Sequence, residues 1–228
     1  SENWSLNGGG GGCGGRIAFH YSTNNSTLAT LTANGGKPKG STSYGGAGTI
    51  YFKDIDLQGE GDLIISNNET SWSTDLNLIA ETVLPNNTTF DNLTISKYAK
   101  VYNTDTLTVS STTTVNYNGI VKNTGTFVSD ILDISNNGRY ISDLNSVTTY
   151  TTLNWSGGII SDNGGNMALL NNGVSLNIPV GSTLNTNINR SYASVVVNGT
   201  LSHDMNSTSD TNKLNYTVSG NLTINSGG

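Results

Sequence analysis

Asn92-Leu93-Thr94-Ile95, Thr106-Leu107-Thr108-Val109 and Ile131-Leu132-Asp133-Ile134 repeat one short pattern along residues 92–134. An apolar residue, a polar one and a second apolar one follow each other, with Leu leading and Ile or Val closing. The same shape stands in Asp62-Leu63-Ile64-Ile65, Leu76-Asn77-Leu78-Ile79, Thr152-Leu153-Asn154-Trp155, Ser175-Leu176-Asn177-Ile178, Ser194-Val195-Val196-Val197 and Asn221-Leu222-Thr223-Ile224. Period-two alternation over so few residues predicts short β-strands. Turn signals separate them, among them Asn86-Asn87, Asn118-Gly119, Asn136-Asn137-Gly138, Gly157-Gly158 and Asn198-Gly199.

Two all-β architectures compete for this pattern. A β-sandwich or jelly roll would use hairpins and a two-sided core. A right-handed parallel β-helix, or β-solenoid, would stack each short strand on its counterpart one coil later. The solenoid is the better match. The apolar motifs have the length of a coil face, like residues recur in register, and a thin rod needs only a narrow core. At about 20–25 residues per coil the chain would hold about nine to eleven coils, or some 45–50 Å at ~4.8 Å per coil.

Composition agrees. Of 228 residues, 34% are hydrophobic and 11% charged, both below the averages of globular domains. Gly, Ser, Thr and Asn fill about half the chain, and these are poor helix formers, so helical bundles and coiled coils are excluded. No apolar run approaches the length of a membrane-spanning helix. The net charge is −6 and the ten basic residues are scattered singly, so the electrostatic footprint of a nucleic-acid binder is missing. One cysteine, Cys13, rules out an internal disulfide and Cys₄ or Cys₂His₂ zinc sites. A small apolar residue in a tight turn or core slot is the reading of Cys13.

Glycine divides the chain. Residues 1–53 hold two cassettes, Gly11-Gly12-Cys13-Gly14-Gly15-Arg16-Ile17-Ala18-Phe19 and Gly45-Gly46-Ala47-Gly48-Thr49-Ile50-Tyr51-Phe52. Their offset of about 33–34 residues falls in the range of repeat architectures. Residues 54–228 are richer in Asn and Thr, and 1–228 read as one solenoid domain with Gly-rich coils first. The opening Ser1-Glu2-Asn3-Trp4 has neither a basic nor an apolar run, and the closing Ser226-Gly227-Gly228 continues the glycine pattern. Both ends read as cuts through a longer pattern, in a fibre subunit or an excised segment.

The cassettes, with Thr32-Ala33-Asn34-Gly35-Gly36 between them, resemble the right-handed parallel β-helix repeats of large bacterial surface and secreted, adhesin-like proteins. Val218-Ser219-Gly220-Asn221-Leu222-Thr223-Ile224 more loosely resembles adhesin-type passenger coils. The resemblance covers about a fifth of the chain and implies extracellular or cell-surface display, adhesive or spacer-like. It carries over no functional residue.

Chemistry was sought on that scaffold. Polygalacturonase-like hydrolases on the same fold combine Asn-Thr-Asp with an Asp-Asp pair, Gly-His-Gly and Arg-Ile-Lys. Asn103-Thr104-Asp105 matches the first and the other three are absent, so an enzyme is not expected. Glycoside hydrolysis needs two facing carboxylates, and the densest acidic patch is Asp54, Asp56, Glu60 and Asp62. Its alternatives are a solvated turn around Gly59 and Gly61, a calcium site of hard oxygen ligands and an acid–base pair. Calcium is the one cofactor weighed. Asp130, Asp133, Arg139 and Asp143 read as surface ion pairing. Trp72 and Trp155, in polar surroundings, are candidates for stacking on a sugar ring, against packing under a loop. Thirteen Asn-x-Ser/Thr sequons, among them Asn25, Asn87, Asn92, Asn154, Asn198, Asn206 and Asn221, are possible glycosylation sites.

The expected role is a passive extracellular structural or adhesive rod, with self-association, neighbouring surface proteins or glycans as partners. A carbohydrate-active enzyme or tailspike-like depolymerase, and a calcium-dependent binding module, are the rivals.

Overall fold

The structure is a computed structural model and describes residues 11–22, 31–37, 44–67, 78–204 and 213–226. It is all-β, 57% strand and 2% helical, and its parallel strands stack into a β-solenoid of about 6 turns. The apolar-polar-apolar motifs are the rungs. Leu63, Leu93, Thr113, Leu132 and Leu153 follow one another in parallel register, as do Ile65, Ile95, Val115, Ile134 and Trp155. In Asp62–Ser66 and Asn92–Ser96 the inward Leu63, Ile65, Leu93 and Ile95 are buried, while Asp62, Ile64, Asn92 and Thr94 between them are partly exposed, as alternation on a pleated strand requires. Thr113 stands in an apolar column and is buried, and its hydroxyl pairs with Ser129 Oγ at 2.9 Å.

Each turn contributes three faces. Thr106–Val115, Thr126–Ser135 and Val147–Ser156 are ten residues each and bend midway to serve two of them. Thr88–Phe90 pairs with the first half of Thr106–Val115, and Asn92–Ser96 with the second. Ser110 and Ser111 are consecutive exposed residues at the bend, which resets the inward phase for the second half. The third face stacks Thr82–Val83, Lys100–Asn103, Ile120–Asn123, Arg139–Asp143, Ile159–Asn163, Thr183–Thr186 and Thr200–Ser202. Its fully buried column runs Val101, Val121, Tyr140, Ile160 and Leu184. The last rungs of the second face are Ser175–Ile178, Ser194–Val197 and Leu222–Ile224.

The glycine cassettes pair as their offset predicts: Arg16–Tyr21 lies parallel to Thr49–Asp54, with Ile17 opposite Ile50 and Phe19 opposite Phe52. Cys13 is exposed, not in a core slot. Three glycine runs lie backbone to backbone, joined by Gly14 N to Gly46 O (2.9 Å), Gly36 N to Gly12 O (2.6 Å) and Gly48 N to Ala33 O (2.6 Å). A Cβ on Gly14 would overlap the Ala33 carbonyl, and one on Gly48 the Gly15 carbonyl.

Two features depart from the sequence reading. The turns are fewer than nine, because the spacing is 20 residues only along the middle, as from Asn103 to Asn123, and is 30 from Asp62 to Asn92. The stack is also not uniformly parallel. Thr49–Asp54 pairs antiparallel with Asp62–Ser66, a reversal that Gly59 (φ 140°) and Gly61 (φ 85°) permit. This hairpin separates two cores. Leu63 and Ile65 join the main cluster, while Ile50 and Phe52 form a small one with Ala33, against which Ile64 packs.

The glycine layer makes a paired prediction. Gly14→Ala lowers stability by about 1–3 kcal/mol through overpacking, while Gly15→Ala, whose Cβ meets nothing within 4 Å, changes it by less than about 0.5 kcal/mol. Denaturant midpoints of the two variants check this, and equal midpoints would refute close packing of the layer.

Candidate functional site

The acidic patch is the loop of that hairpin. Asp54 Oδ1 accepts the Asp56 N–H at 3.0 Å, a local turn bond. Asp62 Oδ1 accepts from Asn92 Nδ2 at 2.8 Å on the next strand. Lys53 Nζ donates to the Gly59 carbonyl and the Tyr51 hydroxyl to the Glu60 carbonyl. The expected calcium set of Asp54, Asp56, Glu60 and Asp62 is not assembled: among the described residues no three acidic, His or Cys groups come together as a metal site, and Asp54 and Asp62 are engaged by the Asp56 N–H and by Asn92. The carboxylate that matters to the loop is Asp91, which sequence reasoning passed over. Its oxygens accept the Gly61 N–H at 2.8 Å and the Ser110 hydroxyl at 3.1 Å. Burial pushes the Asp91 carboxyl up, but the N–H groups of Gly61 and Glu60, the Ser110 hydroxyl and the Lys53 ammonium outweigh it and hold the group below the ordinary aspartate value.

Trp155 does not present a face to a sugar. It is buried in the main cluster, and its indole N–H donates to Gly158 O at 2.9 Å. Trp72, Asn25 and Asn206 lie outside the described residues. Asn87, Asn154 and Asn221 are exposed. Asn92 and Asn198 instead bridge rungs. Asn92 holds Asp62 and the Thr112 N–H, and Asn198 donates to Asn177 at 3.0 Å and accepts from Asn225 at 2.6 Å.

Five of the buried polar residues form a column. Asn103, Asn123, Ser142, Asp162 and Thr186 follow in register at the end of the third face, and all are buried. Asn103 Nδ2 donates to Asn123 Oδ1 (2.9 Å) and Thr126 O (3.0 Å). Asn123, Asp162 and Thr186 each accept the N–H two residues on, from Gly125 (3.2 Å), Gly164 (3.0 Å) and Ile188 (3.0 Å). The side chain thus turns the corner that the backbone must make. Asn103 of the Asn-Thr-Asp tripeptide belongs to this ladder. Asp162 takes a position that an amide or hydroxyl fills in its neighbours, and Arg190 compensates it, with Nε to Oδ2 at 2.9 Å and Nη2 to Oδ1 at 2.7 Å. Those bonds hold the Arg190 guanidinium above its ordinary value. Burial, with the Asp162 charge adding to it, pushes the Tyr192 hydroxyl up to about 12. The signal in sequence was a polar residue two places after the inward apolar one, in Val101-Tyr102-Asn103, Val121-Lys122-Asn123 and Ile160-Ser161-Asp162.

At the corner between the second and third faces the chain makes stacked tight turns. Ala99 N donates to Ser96 O (3.0 Å), Gly119 N to Asn116 O (2.8 Å) and Gly138 N to Ser135 O (2.8 Å). Both central residues of each have positive φ: Lys97 (54°) and Tyr98 (62°), Tyr117 (46°) and Asn118 (62°), Asn136 (47°) and Asn137 (62°). These are type I′ turns, which favour Asn and Gly. A left-handed conformation costs other residues about 1–2 kcal/mol each. Lys97, Tyr98, Tyr117 and Asn118 line a surface groove of about 560 Å³.

Two tests follow from the charged groups. Arg190→Met leaves Asp162 buried and unpaired and lowers stability by about 3–5 kcal/mol, and adding Asp162→Asn recovers most of that loss. Chemical denaturation of the two variants reads the difference. Asp91 has a depressed value in the folded chain, so its contribution is present above the unfolded aspartate value of about 3.9 and is lost as pH falls through the lower folded value. The protection of the Gly61 amide against exchange, relative to its intrinsic rate at each pH, therefore falls on acidification, and Asp91→Asn flattens that pH dependence. Comparison with protein-family models, with curated proteins and with solved structures finds no match.

Proposed function

We propose that the chain is a rod-forming segment of an extracellular surface or fibre protein, whose work is display, adhesion or filament building. The observation that carries this reading is the stack of parallel rungs, like residue over like residue through most of the described chain, around a narrow apolar core. Such a stack gives length and stiffness for little apolar content and has no hinge between rungs. The acidic groups lean the same way. Asp162 is committed to Arg190, Asp91 to the hairpin loop, and Asp204 to Asn185 and Asn187 at 2.8 and 2.7 Å. None of these stands opposite a second free carboxylate, as glycoside hydrolysis requires. The resemblance of the glycine cassettes to repeats of bacterial surface proteins adds the extracellular setting.

The partner of first choice is a further coil of the same kind, from a longer chain or from a second copy. Leu222 and Ile224 stand in register with the buried Val195 and Val197 but are 59% and 65% exposed. A further coil laid on this rung would cover them and pair its edge, which is strand addition.

Negative-stain microscopy across a concentration series tests the reading. Rods that lengthen with concentration, and that stay short in Ile224→Asp, are expected. A globular outline would overturn the rod, and rods of fixed length at every concentration would overturn self-association.

A further inference from the structure

The Asn136-Asn137 turn adopts its left-handed conformation with the residues best suited to it, short amides that tolerate positive φ. One and two coils earlier, at the same corner, the chain places Tyr117 and Tyr98 in that conformation. A bulky side chain at positive φ is a genuine outlier, and strain of this kind concentrates at functional positions. Coil stacking does not demand the tyrosines. The turns are held by backbone bonds, including Lys97 N to Tyr117 O at 2.9 Å and Asn137 N to Gly157 O at 2.7 Å, and these bonds are indifferent to the side chain.

The two tyrosines meet in one place. With Lys97 and Asn118 they line, among the described residues, the same groove, and Tyr117 is 57% exposed. Its volume of about 560 Å³ lies within the range of small-molecule sites. Its lining is two phenol rings, an amide and an ammonium-bearing stem. The flat, apolar ring faces suit the C–H face of a pyranose, and the phenol and amide groups suit its hydroxyls. The chain's net charge of −6 opposes an anionic ligand.

We propose that the Lys97-Tyr98/Tyr117-Asn118 groove binds a neutral, pyranose-based oligosaccharide. The proposal rests on the display reading for the setting in which such glycans are met, and on the turn geometry for the site itself. It places sugar recognition at a corner of the rod, on tyrosines, rather than at the buried Trp155.

The test titrates the full chain with cellotetraose, maltotetraose and mannotetraose, with tetragalacturonic acid as the anionic comparison, following the tyrosine ring signals by NMR. At least one neutral tetrasaccharide is expected to bind and to shift those signals. Tyr117→Asn, which suits the left-handed turn, weakens that binding at least tenfold without lowering the melting temperature. Tyr117→Phe, which keeps the ring, stays within about threefold. Binding unchanged in Tyr117→Asn, binding by tetragalacturonic acid alone, or no binding by any neutral sugar would overturn the site. Microscopy of the same samples keeps the two readings apart: intact rods with no sugar bound defeat the groove, and a globular outline with sugar bound defeats the rod.

Discussion

Most of this molecule depends on stacking one coil on the last through parallel backbone hydrogen bonds. The bond network fixes the next strand about 4.8 Å away, so each inward side chain must fit directly over its counterpart. That condition is met by like residues: Val101 under Val121, Leu63 under Leu93, Asn103 under Asn123. It also explains how a chain with 34% hydrophobic residues holds a core. Two or three inward residues per face suffice when each is covered above and below. Where a rung lacks a neighbour, as at Leu222 and Ile224, the same residues become exposed.

Apolar columns alone are a weak guide to register, because one aliphatic pair packs much like another. The polar column supplies what they lack. Asn103, Asn123 and Asp162 each need a particular partner at a particular height, and a slipped coil would strand a buried amide or carboxylate. Asp162 sharpens the point. A buried acid paired with an arginine adds little net stability over apolar residues, but breaking the pair is costly. A stack that parted the pair would carry that cost, and in the register observed the Arg190 fork reaches both carboxylate oxygens.

The rungs and the cassette pairing were legible in the sequence, because period-two alternation and a fixed offset report directly on a stacked strand. Leu63, Leu93 and Leu132 were visible as one series, and Ile17 opposite Ile50 followed from the glycine spacing. The hairpin was not legible. A parallel rung and an antiparallel return use the same alternation, and the deciding features are Gly59 and Gly61 at positive φ and the docking of the loop on Asp91, 30 residues beyond Gly61. Trp155 misled because polar neighbours in sequence point to the opposite face of a strand from the tryptophan itself. Asn92 and Asn198 show a related point. An asparagine that reads as a surface acceptor is, in a stack, a bridge to the rung above or below. The carboxylates of residues 54–62 cluster in sequence but do not converge as a metal site, and Asp54 and Asp62 bond to the loop backbone and to the neighbouring rung.

The corner turns obey a different rule from the strands. A residue within a rung is chosen by what lies above and below it, so its identity reports on the stack. A residue at the centre of a type I′ turn is constrained by its own φ, and its side chain projects from the rod with little to pack against. Backbone preference alone would place Asn or Gly there, as it does at Asn136-Asn137 and Gly157. Tyr98 and Tyr117 therefore carry information that the core residues do not. Their presence is not required by the stack and is opposed by the backbone. A solenoid keeps the two demands apart: the rungs can be optimised for stiffness while the corners are free to depart from the most stable residue. Departures at the same corner of adjacent coils, where two side chains share one groove, are where a rod of this kind gains a specific surface without disturbing its stack.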